Sequence, residues 1–226
     1  MRAKNIDLIE EHKASLARPK HKYSLTAKFF FFSMDLVTGK KNTLCKAALL
    51  EILASVPYRE WEIRSYKTIT RYFRNSNKVC WSQRVIEWGR EAQDNEYDHL
   101  RVIYEKMKED NIKEAWYLSP VITFIFVLKY VIISKIVAFL SLKSAFYFNG
   151  EFEDHAEHVY AQMVEDNPQW RDQPIKSPIV KQYADVENWS QVFINICLDE
   201  RDHRNESFVR SDYPQYVAQY KNNLSE

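Results

Sequence analysis

The sequence predicts an all-α fold, a four-helix bundle in one domain with extra helices at a membrane surface. Three observations carry that expectation. Only 3 glycines and 7 prolines occur in 226 residues, too few for the many tight turns of a stranded fold. Apolar residues recur at helical spacing over long stretches. Two Glu-x-x-His motifs, one in QDNEYDHLRVIYEKM and one in ICLDERDHRNESF, lie far apart on otherwise helical segments.

Composition excludes some functions. The 32 basic and 31 acidic residues leave a net charge of +1 without an extended basic field, so no nucleic-acid partner is expected. Cys45, Cys80 and Cys197 form no Cys-x-x-Cys, which argues against a disulfide framework or a zinc knuckle and for reduced thiols facing the cytosol.

In chain order, residues 1–28 read as a polar arm without the apolar core of a secretory signal, and the phenylalanine run at 29–32 opens an ordered domain over 29–212. KNTLCKAALLEILASVP has helical periodicity, with Pro57 expected to kink or restart the helix that continues as YREWEIRSYKTITRYFR. Glu51 stands there among Leu49, Leu50, Ile52 and Leu53, and a carboxylate on an apolar stretch needs a partner or a metal. A second helix is expected from about Trp81 to Asp110 and holds Glu96 and His99.

Residues 115–148 are the most apolar segment, but Lys129, Lys135 and Lys143 interrupt it. A central lysine costs a spanning helix about 2.5 to 3.5 kcal/mol, so helices lying on the bilayer surface with snorkelling lysines are the expectation. A third bundle helix should end near Asn167 and Pro168, and the last runs from Asn188 through Glu200 and His203. Residues 213–226 read as a polar tail.

Alone, each Glu-x-x-His is a weak signal, because charged helix faces are common. The order is more telling: a lone Glu, a Glu-x-x-His, another lone Glu, and a second Glu-x-x-His. Ferritin-like di-iron carboxylate bundles use this set, since residues at i and i+3 point to one side of a helix and can reach one metal together. Carboxylates with one imidazole per metal suit iron or manganese better than zinc. For the third helix, spacing leaves Glu151, Glu153 and Glu157 open; Glu153 and Glu157 share a face and Glu151 is rotated away.

The wording around these residues adds a further signal. LLEILASVPY, NEYDHL, EDHAEHVY and VFINICLDERDH resemble, in order, the four ligand motifs of the alternative oxidases, and most closely their plastid terminal oxidase branch, over about residues 44–208. The resemblance implies two iron ions held by Glu51, Glu96, His99, Glu153, Glu200 and His203. It makes Tyr160 the redox tyrosine and places Asn95 and Asp199 in the network behind the ligands. Lys46, Leu50, Phe152, His155 and Ala156 match positions around the quinol cavity, as does Glu51. Lys46 departs from the family's usual Arg, and the loop between Tyr183 and Glu187 lacks the long insertion of plant plastid enzymes. His158 reads as an exposed helix residue.

The reaction so implied is oxidation of a quinol, plastoquinol before ubiquinol, with reduction of dioxygen to water and no proton pumping. The same resemblance implies peripheral, monotopic attachment to a cytoplasm-facing or stromal and thylakoid-type membrane surface, with a homodimer left open. Two alternatives stand beside it: another di-iron enzyme, such as a quinone-biosynthesis hydroxylase, and a non-enzymatic membrane-associated helical protein.

Overall fold

The computed structural model describes residues 6–221. Among them the helices are α1 (Leu8–Ala17), α2 (Leu25–Thr38), α3 (Leu44–Arg71), α4 (Ser76–Glu109), α5 (Pro120–Leu140), α6 (Leu142–Asp166), α7 (Pro178–Tyr183) and α8 (Trp189–Arg210). No strand occurs among the described residues; Pro174 and Asn188 form an isolated antiparallel bridge. The chain divides into two compact units, one of Leu44–Ala145 and one joining the chain up to Thr43 with the chain from Phe146 onward.

In the first unit, α3 and α4 form an antiparallel hairpin whose turn ends at Asn75, where the side chain caps α4 by accepting from the Lys78 amide at 3.1 Å. Pro57 does not restart the helix as expected: α3 is continuous through it. A proline inside a helix costs about 3 kcal/mol. Here Leu49, Leu53, Val56, Tyr58 and Trp61 are buried on both sides of it, each contributing roughly 1.5 to 3 kcal/mol, so packing outweighs the lost hydrogen bond. Trp61 stacks on Trp88 at 5.3 Å, and both meet Tyr58 edge-on. Gly89 permits the close approach, because a Cβ there would lie 3.2 Å from the Tyr58 carbonyl oxygen.

Helix α5 packs along α3 through Tyr130, Ser134 and Ala138, a one-residue-wide buried stripe at i, i+4 and i+8. The Lys113 carbonyl meets Cys45 Sγ at 3.5 Å and Lys135 Nζ lies 3.7 Å from Glu60, so α5 follows the direction of α3. Its other faces expose Val121, Phe124, Leu128, Ile132, Ile136 and Phe139. Among the described residues α5 is the helix long and apolar enough to cross a membrane, with mean hydropathy 2.2 over its best window. Ser141 ends it and caps α6, its hydroxyl oxygen accepting from the Ser144 amide at 3.1 Å.

In the second unit, α6 and α8 run antiparallel: Gly150 faces the Phe208 ring, Arg204 donates to Asp154 at 2.7 Å, and Arg201 donates to Glu157 at 2.9 Å. A Cβ on Gly150 would meet that ring at 3.0 Å, so a larger residue there would push the Phe208 ring away by a few tenths of an ångström. Residues 8–17, within the stretch expected to be a polar arm, form a helix antiparallel to α6. His12 Nε2 lies 2.9 Å from the Ala161 carbonyl and Ser15 donates to Glu157 at 2.6 Å. The buried residues of α1 are the polar Glu11, His12 and Ser15, which is why an apolar-periodicity reading passes over it.

Helix α2 is built the other way. Leu25, Phe29, Phe32 and Leu36 form a stripe at i, i+4, i+7 and i+11 that faces outward, with Leu25 84% exposed. Phe30 and Phe31 instead turn to α6, meeting Phe152 at 5.6 Å and stacking on His155 at 4.1 Å. Past Asp212 the tail also packs: Tyr220 is buried and donates to Asp202 at 2.8 Å.

Candidate metal centre

Each unit contains a buried triad of two carboxylates and one imidazole. On α4, Glu96 and His99 are one helical turn apart and project to the side that faces α3, where Glu51 meets them. His99 Nδ1 lies 3.2 Å from Glu51 Oε2 and 3.8 Å from Glu96 Oε2. In the other unit, Glu200 and His203 repeat the i, i+3 pairing on α8, with Nδ1 3.6 Å from Oε2, and Glu153 of α6 joins them. One donor atom from each residue of a triad lies within 4.8 Å of the others, and all six residues are buried.

The donor chemistry fits a metal. With metal–ligand bonds of roughly 2.0 to 2.2 Å, neighbouring donors on one ion sit about 3 Å apart, close to the His99–Glu51 separation. Two carboxylates and a neutral imidazole carry two negative charges, which one divalent cation neutralises. Burying two uncompensated carboxylates side by side would otherwise cost several kcal/mol. Two oxygen donors and one nitrogen per triad, with no thiolate, suit iron or manganese. Cys197 is directed elsewhere: its Sγ donates to the Glu157 carbonyl at 3.4 Å and the Ser15 hydroxyl at 3.5 Å, and burial pushes its thiol up to about 12.

The structure separates the three acids of α6. Glu153 stands with Glu200 and His203, and its Oε1 accepts from Asn149, which also donates to Ser207 at 3.1 Å. Glu151 accepts from the Ser24 amide and, at 2.7 Å, from the Ser24 hydroxyl, tying α6 to the start of α2. Glu157 is engaged by Arg18, Arg201 and Ser15. Burial alone would raise the Glu157 carboxyl, yet Arg18, Arg201 and Ser15 hold it below the usual carboxylate range.

Tyr160 is buried in α6, two turns beyond Glu153, with its ring 6.2 Å from Phe193. Asn95 is half-buried beside Glu96, and Asp199 accepts from Tyr183 of α7 at 2.5 Å, anchoring α8 next to Glu200. Lys46 and Leu50 are buried on α3 in one unit. Phe152, His155 and Ala156 line the α6 face that Phe30 and Phe31 cover in the other. His158 is not the exposed residue its sequence position suggests: it is buried, its ring nitrogens 2.7 Å from the Asp154 carbonyl and 2.9 Å from the Arg18 carbonyl. Helix α1 covers the face that would otherwise be solvated.

Sequence reasoning missed the ionic layer beneath the second triad. Arg201 is fully buried and donates to Glu157, to the Glu11 carboxylate at 2.5 Å, to the Glu11 carbonyl at 2.9 Å and to Ser15 at 2.7 Å. Arg204 pairs with Asp154, where its charge offsets the burial that would raise that carboxyl. A signal was present: Arg201 and Arg204 on α8, and Asp154 and Glu157 on α6, repeat an i, i+3 spacing next to the ligand motifs.

A search of curated proteins finds no match. The sequence model of the alternative oxidase family matches residues 7–210, nearly the whole chain and all eight helices. The protein belongs to the alternative oxidase family, the membrane-associated di-iron enzymes that oxidise quinol with dioxygen and share an all-α, ferritin-like bundle fold.

Proposed function

We propose that Glu51, Glu96, His99, Glu153, Glu200 and His203 are the ligands of one di-iron centre, and that this chain is a plastoquinol oxidase of the plastid terminal type. The observation that carries the reading is the pair of buried triads of identical composition. Iron, when bound, supplies the redox steps that move electrons from quinol to dioxygen. The chain's own residues do the rest. The four carboxylates neutralise the metal charge, the two imidazoles complete the sets, and burial keeps bulk water from the reacting oxygen. The Tyr160 phenol serves as an electron relay, held inside by Phe193.

Two quinols deliver four electrons and four protons to one dioxygen, giving two quinones and two waters. Lys46, Leu50 and Glu51 of α3 and Phe152, His155 and Ala156 of α6 are the proposed contacts of the quinol head. Attachment is proposed to be monotopic: Lys129 and Lys135 are exposed along α5, and the buried stripe of that helix follows α3. The outward stripe of α2 supports the same reading.

Oxygen consumption by the purified, iron-analysed protein with plastoquinol, ubiquinol and menaquinol analogues tests this. Two irons per chain with fastest uptake on plastoquinol is the expected result. Preference for ubiquinol overturns the branch, hydroxylated quinone as product favours a biosynthetic hydroxylase, and protein without iron favours a non-enzymatic role. In the same assay Tyr160→Phe should keep its iron and lose nearly all turnover. Phe preserves the ring packing, and the hydroxyl's hydrogen bond is worth only about 0.5 to 1.5 kcal/mol of stability. Wild-type turnover in that variant would make the tyrosine structural.

A further inference from the structure

The α3–α4 turn carries a charge pattern that the metal chemistry does not use. From Ile63 to Ile86 the chain contains Arg64, Lys67, Arg71, Arg74, Lys78 and Arg84 and no Asp or Glu. Five of the six cations are exposed, Arg64 alone being half-buried, and among the described residues none of those five has a carboxylate within 4.0 Å. Three of them stand over aromatic rings instead. Lys78 Nζ is 3.8 Å from the Tyr72 centroid, Arg71 is 5.6 Å from the same ring, and Arg74 is 5.4 Å from Phe73. Phe73 is 67% exposed, with Tyr66, Tyr72 and Trp81 also exposed. Residues Arg71 to Asn77 line an open cleft of about 660 Å³.

Unpaired cations interleaved with exposed aromatic rings suit an interface where phosphate groups meet apolar chains. A soluble acidic protein would satisfy the charge but would leave Phe73 and Trp81 unexplained. The same unit also presents the apolar face of α5, which follows α3 towards this turn and ends in the exposed Phe139 and Leu140.

We propose that the α3–α4 turn is a docking surface for anionic phospholipid headgroups, with Arg71, Arg74 and Lys78 meeting phosphates and Phe73 entering the interface. This rests on the membrane-surface reading above and adds lipid selectivity to it: apolar faces give attachment to any bilayer, and the turn gives preference for an acidic one. Because the attraction is between exposed charges, it weakens as salt rises.

The test uses the full chain loaded with iron and two kinds of vesicle, phosphatidylcholine alone and phosphatidylcholine with one-third phosphatidylglycerol. Co-sedimentation should show wild type binding the acidic vesicles about a hundredfold more tightly at low salt, from about fivefold for each of three basic residues near the surface, with the preference shrinking as salt rises. The triple variant Arg71→Glu, Arg74→Glu, Lys78→Glu should bind both vesicles alike, with iron content and oxidation of a short-chain quinol in detergent unchanged. Cys80 supplies an independent readout. It is exposed while Cys45 and Cys197 are buried, so an environment-sensitive fluorophore attached there should shift to the blue with acidic vesicles and not with neutral ones.

If wild type binds both vesicles equally, or the triple variant keeps the preference, the turn is not the docking surface and attachment through the apolar faces stands. If wild type binds neither, the membrane-surface reading falls and the proposal with it. If polyglutamate binds the turn and vesicles do not move the Cys80 probe, the partner is an acidic protein and the proposal is overturned.

Discussion

Glu96→Ala and His203→Ala are each expected to lose iron and to fall to background in quinol-dependent oxygen uptake, a loss of more than about a hundredfold. Glu96 and His203 sit in different triads, so the pair samples each unit's share of the proposed centre. Neither loss can be repaired locally. The side chains beside each site are themselves proposed ligands, and an alanine leaves a gap that no nearby donor has the reach to fill. The metal-free variants should nevertheless stay folded: in Glu96→Ala the loss of one of several clustered buried carboxylates relieves repulsion and offsets part of the packing lost, and in His203→Ala one imidazole with a tenth of its surface already exposed is removed. Iron content by elemental analysis, circular dichroism and oxygen uptake on the same preparation check the three parts. A variant with full iron and full turnover removes that residue from the centre.

Arg201→Leu should produce the opposite pattern, a large loss of stability from a residue that is not proposed to touch metal. The guanidinium is fully buried and holds Glu157, Ser15, the Glu11 carboxylate and the Glu11 carbonyl, with the Tyr220 ring 4.8 Å away. Deleting it leaves two buried carboxylates facing an apolar side chain. Breaking one partner of a buried ion pair costs about 3 to 5 kcal/mol, against a total stability of about 5 to 15 kcal/mol for an ordinary domain.

Arg201→Lys should recover little, since an ammonium cannot spread over three side chains as the planar fork does. Glu11→Gln added to Arg201→Leu should recover part of the loss, because Glu157 keeps Arg18 while the Glu11 carboxylate is left with the Lys221 amide alone. The denaturant midpoint should fall, with proteolysis beginning near α1, whose docking this arginine supports. An unchanged midpoint in Arg201→Leu would mean that the pairs only break even against their desolvation.

Much of the local architecture is legible in the chain itself. Helices α3, α4, α6 and α8 follow from apolar periodicity and from the scarcity of glycine and proline, because each helix satisfies its backbone within a single segment. The pairings of Glu96 with His99 and of Glu200 with His203 are equally local, since 3.6 residues per turn places i and i+3 on one side whatever surrounds them. The lysines that interrupt α5 are also visible as spacing alone.

What only the tertiary structure decided is the partner of each charge. Spacing turns Glu151 away from Glu153 and Glu157 but assigns a partner to none of them; Ser24 meets the first, Asn149 and the second triad the second, and Arg18 and Arg201 the third. Arg18 lies 139 residues from Glu157 in the chain, and no local pattern encodes that encounter. For the same reason α1 reads as a polar arm and His158 as exposed, although Glu11, His12 and Ser15 of α1 and His158 are all buried. A polar side chain is buried only where a distant segment brings it a hydrogen-bond partner, and that meeting is a property of the folded chain.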